Sequence, residues 1–461
     1  MIEILGKRIH FIGVGGMGMS ALALFSADMG ATVSGSDRHP NAMCKVLQNK
    51  GAAIWKGENA DLMKNADIVV FSSAIKDDNT ELAYAREVGI KTYERFEFLG
   101  EIASGFGKVV AVSGTHGKTT TTAMITHILM REKKRFVAMI GGECVDFGNY
   151  VNNTMGKSLG ECIFVCEACE YKRSLLALNP DVGAITNIEC DHPDCYKNLQ
   201  SVKDVFAQFV AQSKVCFLNA NDGDLIFDSS GGSKDNFACR NVFNVEGGDT
   251  FSVFEKTPTD IAVRAFEKRG GKWTVDNQPL LLKDGGEYNA NNAAFAVCIC
   301  EMFGISADKS VKALSTFSGV KRRFERAKDI CGVPTYFDFA HHPTEIRRLI
   351  ERTKDFGKQL VVFQPHTYSR TKAYLNDFVR ALSDADTLVI MPTYAARESA
   401  SMGVTSKDLA TAIFDKNCKQ TVYIAKNDKS TLDYVKKHAK EHGIVLFVGA
   451  GTVYDLKDKW E

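Results

Sequence analysis

The sequence lacks an excess of charge of either sign. Its 57 lysines and arginines nearly balance 56 aspartates and glutamates, for a formal net charge of +1. This balance argues against the overall positive charge that favours nucleic acid or an anionic membrane surface. The chain also lacks an apolar run that could span a bilayer and a signal-peptide layout at its start. We therefore expect a cytoplasmic protein with no membrane insertion and no nucleic-acid partner.

Low-complexity stretches and repeats of fixed period are also absent from the sequence, which excludes a solenoid built of repeats. What is present is the composition of an ordinary globular protein, with 461 residues of which 45% are hydrophobic and 25% are charged. This length suggests about three domains. The 13 cysteines are an odd number, and in a cytosolic protein their thiols are expected to stay reduced. The oligomeric state stays open, and a homodimer is compatible with the sequence.

A glycine-rich loop, Gly114–Thr122, is the most informative feature of the chain. It follows the apolar run Val109–Val112 and precedes a helix-like segment, an order that predicts a phosphate-binding loop. Lys118 can reach the terminal phosphates of a nucleotide, and the Thr119 hydroxyl can join a Mg²⁺ shell. The loop is a variant, because Val112 stands where the usual pattern has its first glycine.

A second phosphate-binding pattern lies near the amino terminus. Gly13, Gly15 and Gly18 form G-x-G-x-x-G between a predicted strand and helix, and Asp37 follows about twenty positions further on. In this dinucleotide-binding fingerprint the glycines let the backbone approach a pyrophosphate, and the acid binds a ribose hydroxyl. The fingerprint does not distinguish NAD from another nucleotide diphosphate. An NAD-binding oxidoreductase or sensor therefore stays open at this point.

Polar side chains follow many of the predicted strands. These residues are Ser72, Ser73, Glu167, His192, Asp338, His341, His342, Gln364, His366 and Arg370. Ligands bind at the carboxyl ends of strands in open parallel sheets, so the clustering indicates binding sites there. A carboxylate and an imidazole beside a phosphate-binding loop suit a Mg²⁺–nucleotide site. Asn289 and Asn292 lie three positions apart on one helix face, where they read a base edge or cap the helix.

The order of predicted strands and helices indicates an α/β protein with three domains. We predict a Rossmann-like domain at 1–106, a central P-loop ATP-binding α/β domain at 107–320, and a Rossmann-like α/β domain at 321–461. The last of these alternates strands and helices throughout, which favours an open, mostly parallel sheet.

Together the motifs resemble the ATP-dependent Mur ligases over nearly the whole chain. The strings that carry the resemblance are FIGVGGMGMSALA (Phe11–Ala23), SGSD (Ser34–Asp37), SSAI (Ser72–Ile75), SGTHGKTTTT (Ser113–Thr122), EACEY (Glu167–Tyr171), TNIECDH (Thr186–His192), YNANNAA (Tyr288–Ala294), RRFE (Arg322–Glu325), DFAHHPTE (Asp338–Glu345), QPHTYSRT (Gln364–Thr371) and GAG (Gly449–Gly451). The resemblance implies that ATP drives amide formation through an acyl phosphate. The histidine of GTHGKT and the string HHPTE favour the branch that joins L-alanine to UDP-N-acetylmuramate.

The resemblance also implies roles for individual residues. Lys118, Glu167 and His192 would be catalytic, and Thr119, Glu167 and His192 would hold Mg²⁺. The residues expected to bind ATP are Gly114, Thr115, His116, Gly117, Lys118, Thr119, Thr120, Asn289, Asn292, Arg323 and Asp338. Those expected to bind the UDP-sugar are Gly13, Gly15, Gly16, Gly18, Ser20, Asp37, Ser72 and Ser73. His341 and Arg370 would bind the carboxylate of the incoming alanine.

The chain departs from the common family pattern at the predicted amino-acid site. Thr367 stands where related enzymes often have a second arginine, and Phe339 stands where tyrosine is frequent. Specificity for alanine is therefore the least secure of the implied properties. A close rival is the recycling ligase that joins a whole tripeptide to the same UDP-sugar, although GVGGMGMS fits the alanine-adding branch better.

Overall fold

The computed structural model describes residues 2–192, 195–219, 239–244, 250–256, 261–269, 272–275, 278–282, 286–396, 398–457 and 459–460. The chain divides into two compact units. The first unit comprises Met1–Glu189 and Leu199–Gly319, and the second comprises Cys190–Asn198 and Val320–Glu461. Among the helices of the described ranges, none is both long and apolar enough to cross a bilayer.

The amino-terminal sheet of the first unit is parallel, with the strand order β3-β2-β1-β4-β5. Its strands are β1 (Arg8–Ile12), β2 (Thr32–Asp37), β3 (Ala53–Lys56), β4 (Ile68–Phe71) and β5 (Lys91–Glu94). Its helices are α1 (Met17–Asp28), α2 (Ala42–Asn49), α3 (Thr80–Glu87) and α4 (Arg95–Ala103). The apolar residues of β1 are buried, as expected for a parallel strand covered on both faces. Strand order reverses at β1, which places a ligand crevice at the carboxyl end of that strand.

The central sheet of the first unit has the strand order β16-β15-β14-β13-β12-β11-β10-β6-β9-β7-β8 among the described residues. Its strands are β6 (Lys108–Ser113), β7 (Phe136–Cys144), β8 (Gly148–Asn153), β9 (Ile163–Glu167), β10 (Val182–Ile185), β11 (Val215–Asn219), β12 (Cys239–Asn244), β13 (Thr250–Lys256), β14 (Ile261–Arg269), β15 (Lys272–Val275) and β16 (Gln278–Pro279). Its helices are α5 (Lys118–Arg131), α6 (Leu199–Gln212), α7 (Glu287–Glu301) and α8 (Ala307–Leu314). Helix α5 is buried along Thr120–Leu129, so the phosphate-binding loop that precedes it is attached to a rigid core element.

The second unit contains a sheet with the order β17-β18-β22-β19-β20-β21, parallel except for β17. Its strands are β17 (Glu325–Arg326), β18 (Thr335–Asp338), β19 (Gln359–Phe363), β20 (Thr387–Ile390), β21 (Thr421–Ile424) and β22 (Ile444–Val448). Its helices are α9 (Pro343–Arg352), α10 (Tyr368–Ala373), α11 (Leu375–Leu382), α12 (Ser406–Lys416) and α13 (Asp428–His438). Separate apolar clusters, one around Phe363 and one around Phe447, pack on the sheet.

The predicted α/β class is confirmed, with Rossmann-like sheets at both ends of the chain and the phosphate-binding loop between β6 and α5. The domain boundaries near residues 106 and 320 stay predictions. The antiparallel extension β13–β16 and the hairpin of β7 and β8 were not predicted from the sequence.

Candidate active site

Two glycines give the phosphate-binding loop its shape. Gly114 and Gly117 adopt φ of 118° and 85°, the left-handed region that favours glycine. A Cβ on Gly117 would lie 2.5 Å from Oδ1 of Asn292, and one on Gly114 would collide with Thr186. The loop is fixed further by Asn187, whose carbonyl accepts from the N–H of Thr115 at 3.0 Å. The loop therefore has a defined shape that leaves the first N–H groups of α5 without partners inside the helix.

Lys118 lies folded against this loop and forms an ion pair with Glu170. Its Nζ donates to the two carboxylate oxygens at 2.9 and 3.1 Å and to the Thr115 carbonyl at 3.1 Å. It also donates to the Gly114 carbonyl. Burial by itself lowers the pKa of Lys118, but the charge and hydrogen bond of Glu170, together with the nearby Cys169 and Glu167, outweigh burial and hold the pKa above its usual range. The lysine is therefore fully protonated. Glu170 was not among the predicted site residues.

Thr119 and Glu167 meet at the carboxyl edge of the central sheet. The Thr119 hydroxyl donates to Glu167 Oε2 at 3.1 Å, and the N–H of Gly141 donates to Oε1 at 2.5 Å. Carboxylate and hydroxyl oxygens are the ligands that Mg²⁺ prefers, so this pair fits the predicted metal. His192 belongs to the second unit, where its N–H donates to Asp191 Oδ1 at 2.7 Å. Its metal role stays a prediction.

The two asparagines predicted to bind adenine lie together on α7. Asn292 is 4% exposed and its Nδ2 donates to Asn289 Oδ1 at 3.3 Å. Its own Oδ1 accepts from the Thr121 hydroxyl at 3.2 Å. Asn292 thus joins α7 to α5 directly beneath Gly117, a supporting role that its sequence position did not reveal. A contact with adenine stays a prediction for both residues.

The amino-terminal glycine loop follows β1 and approaches Ser72 at the end of β4. A Cβ on Gly13, where φ is 80°, would lie 3.3 Å from the Cβ of Ser72. The carboxylate of Asp37 accepts from the Gly15 N–H at 2.9 Å, so it holds the loop in place. Gly16 is the residue before α1 and lacks a side-chain cap there. The loop and the end of β4 therefore lie side by side, and their contact with a UDP-sugar stays a prediction.

Ser20 and Ser73 lie close to that loop but have other contacts in the first unit. Ser20 is fully buried, and its hydroxyl accepts from Asn149 Nδ2 at 3.0 Å. It therefore joins α1 to the strand β8. The carbonyl of Ser73 accepts from Lys172 Nζ at 3.3 Å. Direct contacts of either residue with a UDP-sugar stay predictions.

The second unit contains a cluster around a buried ion pair. Arg370 is 7% exposed, and its Nη2 donates to Asp191 Oδ1 at 3.0 Å. Nη1 lies 3.3 Å from His366 Nδ1, and the rings of His341 and His366 are 5.8 Å apart. Thr367 caps α10 by accepting from the Arg370 N–H at 3.4 Å, with a left-handed φ of 64° that is unusual for a β-branched residue. The predicted pair Arg370 and His341 is thus brought together, with Asp191 as an unpredicted third member.

The charges of this cluster are well defined. Burial raises the pKa of Asp191, but the charge of Arg370, together with smaller contributions from neighbouring groups and the hydrogen bond from the His192 N–H, outweighs burial and holds the pKa below its usual range. Burial lowers the pKa of His341 to about 3 and that of His366 to about 4, so both imidazoles are neutral at neutral pH. A neutral imidazole can accept a proton or a hydrogen bond, which suits a site for an amine.

Arg323 and Asp338, two further predicted ATP contacts, lie around Phe339 in the second unit. Asp338 accepts from the N–H groups of Phe324 and Ala340, each at 2.7 Å, and burial raises its pKa to about 6. The guanidinium of Arg323 lies 5.0 Å from the centre of the Phe339 ring. Asp338 therefore already holds two loop N–H groups, and its contact with the ribose stays a prediction.

A cavity of about 210 Å³ in the first unit lies between the amino-terminal glycine fingerprint and Glu167. It is lined by Gly18, the third glycine of the amino-terminal fingerprint, and by Gly141 and Glu167. We call the predicted metal site at Thr119 and Glu167 the metal edge. A ligand that binds its diphosphate at the first loop therefore has a direct route to the predicted metal site.

Two glycine loops of the kind that bind phosphates, one of them beside the predicted metal site at Thr119 and Glu167, indicate a nucleotide-dependent enzyme. Three family matches agree with this. Residues 8–107 match the Mur ligase catalytic domain, residues 112–300 the Mur ligase middle domain, and residues 322–451 the glutamate ligase domain of the Mur ligases. The chain belongs to the Mur ligase family, which confirms the resemblance seen in its motifs and leaves no support for an NAD-dependent oxidoreductase.

Individual proteins similar to this chain include both sequence relatives and solved structures. The UDP-N-acetylmuramate–L-alanine ligase of Clostridium perfringens is 36% identical, with 98% of this chain and 97% of that protein covered. The enzyme of the same name from Clostridium beijerinckii is 37% identical with the same coverage. In structure, the UDP-N-acetylmuramate–alanine ligase of Thermotoga maritima matches with a TM-score of 0.74 at 26% identity, over 98% of both chains. The murein peptide ligase of Psychrobacter arcticus shares the fold, with a TM-score of 0.69 at 22% identity and coverage of 99% and 98%.

Proposed function

We propose that this protein is the ATP-dependent ligase that joins L-alanine to UDP-N-acetylmuramate, in the cytoplasmic synthesis of peptidoglycan precursors. The observation that carries the proposal is the similarity at 36–37% identity, over nearly the full length, to ligases with that activity. Lys118, Thr119 and Glu167 support it, because the groups that would handle the triphosphate are all present.

The central physical problem is the repulsion between an anionic carboxylate and the triphosphate that it must attack. Lys118 is protonated, and it can exchange Glu170 for the terminal phosphates. The free N–H groups at the start of α5 favour the same anions. Bound Mg²⁺, held by Thr119 and Glu167, would neutralise further phosphate charge and orient the reacting groups.

The carboxylate oxygen then forms a bond to the γ-phosphorus of ATP, and ADP leaves with its electron pair. The neutral amine of L-alanine attacks the acyl carbon of the resulting acyl phosphate, and the bond from that carbon to the phosphate oxygen breaks. Inorganic phosphate leaves as the amide forms, and it can accept the one proton that the nitrogen loses. Exclusion of water is essential, because the acyl phosphate hydrolyses readily. His192 would act at the metal or the acyl phosphate in this scheme, as the family resemblance implies.

Arg370 supplies the charge for the alanine carboxylate, with Asp191 and the neutral imidazoles of His341 and His366 as hydrogen-bonding partners. The chain has Thr367 in place of a frequent second arginine. A single guanidinium would therefore bind the alanine carboxylate. Glycine differs from alanine by one methyl group, so discrimination against glycine would be limited to about 1–3 kcal/mol.

The decisive experiment measures phosphate release with ATP, Mg²⁺ and UDP-N-acetylmuramate. L-alanine, glycine, L-serine and the tripeptide are added separately, and the product is identified by mass. Strong stimulation by L-alanine is expected. Stimulation by the tripeptide alone would transfer the chain to the recycling branch, and no stimulation by any of them would contradict the proposed substrates.

Sedimentation of the same preparation tests the homodimer that the sequence leaves open.

Arg370→Ala is expected to weaken apparent L-alanine affinity by about 1.5–3 kcal/mol, because a hydrogen bond to a charged group is lost. The effect on the apparent KM for ATP should be small by comparison. Steady-state kinetics with each substrate varied in turn measure both values. Arg380→Ala is the matched control, since Arg380 forms an exposed ion pair with Asp377 in the same unit. A change of only a few tenths of a kcal/mol in alanine affinity would exclude the carboxylate contact.

A further inference from the structure

Two charged residues line the cavity between the glycine loop and the metal edge, as far as the described residues show. They are Arg95 and Glu167, and the other lining residues are apolar, glycine or cysteine. Glu167 lies at the predicted metal site, where it accepts from Thr119. Arg95 is therefore the cationic group that this cavity offers to an anionic ligand.

Arg95 begins helix α4, and its side chain crosses the start of α1. A Cβ added to Gly18 would lie 3.3 Å from both Cδ and Nη1 of Arg95. The third glycine of the fingerprint thus has a role beyond helix packing, because any larger residue would press on the arginine. Within the described ranges, the guanidinium of Arg95 forms no hydrogen bond or ion pair.

Arg95 shares the cavity with the segment that contains Glu167. Cys166 and Cys169, from the same segment, also line this cavity. Arg95 therefore borders a space that it shares with Glu167 at the metal edge and with Gly18 of the glycine fingerprint.

We propose that Arg95 binds the carboxylate of the UDP-sugar and positions it for phosphorylation. This inference rests on the proposed function, in which the diphosphate binds at the glycine loop and the carboxylate must reach the edge formed by Thr119 and Glu167. Glu167 repels a carboxylate along that route, and Arg95 offsets the repulsion. A guanidinium also fits a carboxylate through two parallel hydrogen bonds, which fixes orientation as well as position.

The test compares two ligands that differ in this carboxylate. UDP-N-acetylmuramate carries it on a lactyl ether, and UDP-N-acetylglucosamine lacks that group but keeps the diphosphate, the uridine and the sugar ring. Calorimetric titration of both ligands is carried out on the unsubstituted protein, Arg95→Gln and Arg95→Lys. Arg95→Gln should weaken UDP-N-acetylmuramate binding by about 10- to 100-fold. Its binding of UDP-N-acetylglucosamine should change by no more than about threefold, since no charged contact is lost.

Arg95→Lys keeps the positive charge but loses the two parallel donors of the guanidinium. It should therefore bind UDP-N-acetylmuramate more tightly than Arg95→Gln and less tightly than the unsubstituted protein. Arg8→Gln is the control, because Arg8 lies at the opposite end of β1 and pairs with Asp67 on the exposed surface. Equal losses for both ligands would assign Arg95 to the diphosphate and overturn the carboxylate contact, as would unchanged affinities. If the unsubstituted protein binds neither ligand, the proposed function itself fails. If the unsubstituted protein ligates L-alanine while Arg95→Gln binds UDP-N-acetylmuramate with unchanged affinity, only this inference fails.

Discussion

Lys118→Ala is expected to reduce ATP-dependent ligation by about 100- to 1,000-fold, because a preorganised cation at the phosphates is removed. UDP-N-acetylmuramate should still bind within about a factor of two, since its predicted loop lies on another sheet of the first unit. Phosphate release measures the first effect, and calorimetric titration measures the second. Loss of UDP-sugar binding with the fold intact would contradict the assignment of the two ligands to separate loops.

The same substitution also has a structural cost that must be separated from the chemical one. Glu170 is 3% exposed, and without Lys118 it would be a buried charge with its main counter-ion gone. We expect the free energy of unfolding to fall by about 3 kcal/mol. This value is at the lower end of the range for removal of one partner from a buried ion pair. The double variant Lys118→Ala/Glu170→Gln should regain most of that stability in urea denaturation. It should not regain turnover, and recovery of both would show that Lys118 acts only as a partner of Glu170.

The phosphate-binding loop could be predicted from the sequence because its determinants are contiguous. An apolar strand, glycines at 114 and 117 and the start of a helix together fix the backbone locally. The parallel strands were equally predictable, since buried strands read as continuous apolar runs between turns. Local signals of this kind need no knowledge of which strands are neighbours.

The partners of the site residues could not be predicted, because they depend on that neighbourhood. Glu170 reaches Lys118 from 52 positions away through the pairing of β6 with β9. Asn292 supports Gly117 from a helix far along the chain. Asp191 meets Arg370 across 179 positions. In each case the sequence contains many polar residues that could be the partner, and only the tertiary packing determines which of them makes the contact.

Some strands were missed for a related reason. The strand β8, Gly148–Asn153, reads GNYVNN and has little apolar character. It is a strand because it pairs with β7 and because Asn149 joins it to α1 through Met17 and Ser20. Here tertiary contacts outweigh local propensity, which spans only about 1 kcal/mol per residue for strands.

Glu167→Gln is expected to raise the Mg²⁺ concentration needed for half-maximal turnover by at least about 100-fold. This increase is larger than the one expected when a residue that only supports a metal ligand is replaced. The substitution removes the negative charge but keeps the shape, and the glutamine carbonyl can still accept from the Gly141 N–H. Phosphate release at increasing Mg²⁺, with ATP and UDP-N-acetylmuramate saturating, measures the shift.

Glu161→Gln is the matched control for this substitution. Glu161 lies just before β9, at the opposite end from Glu167, and forms a surface ion pair with Arg135 at 3.3 Å. An unchanged Mg²⁺ requirement in Glu167→Gln would move the metal away from this edge of the sheet. If turnover fell equally at every Mg²⁺ concentration, Glu167 would act on the acyl transfer rather than through the metal, since only a lost ligand is compensated by mass action.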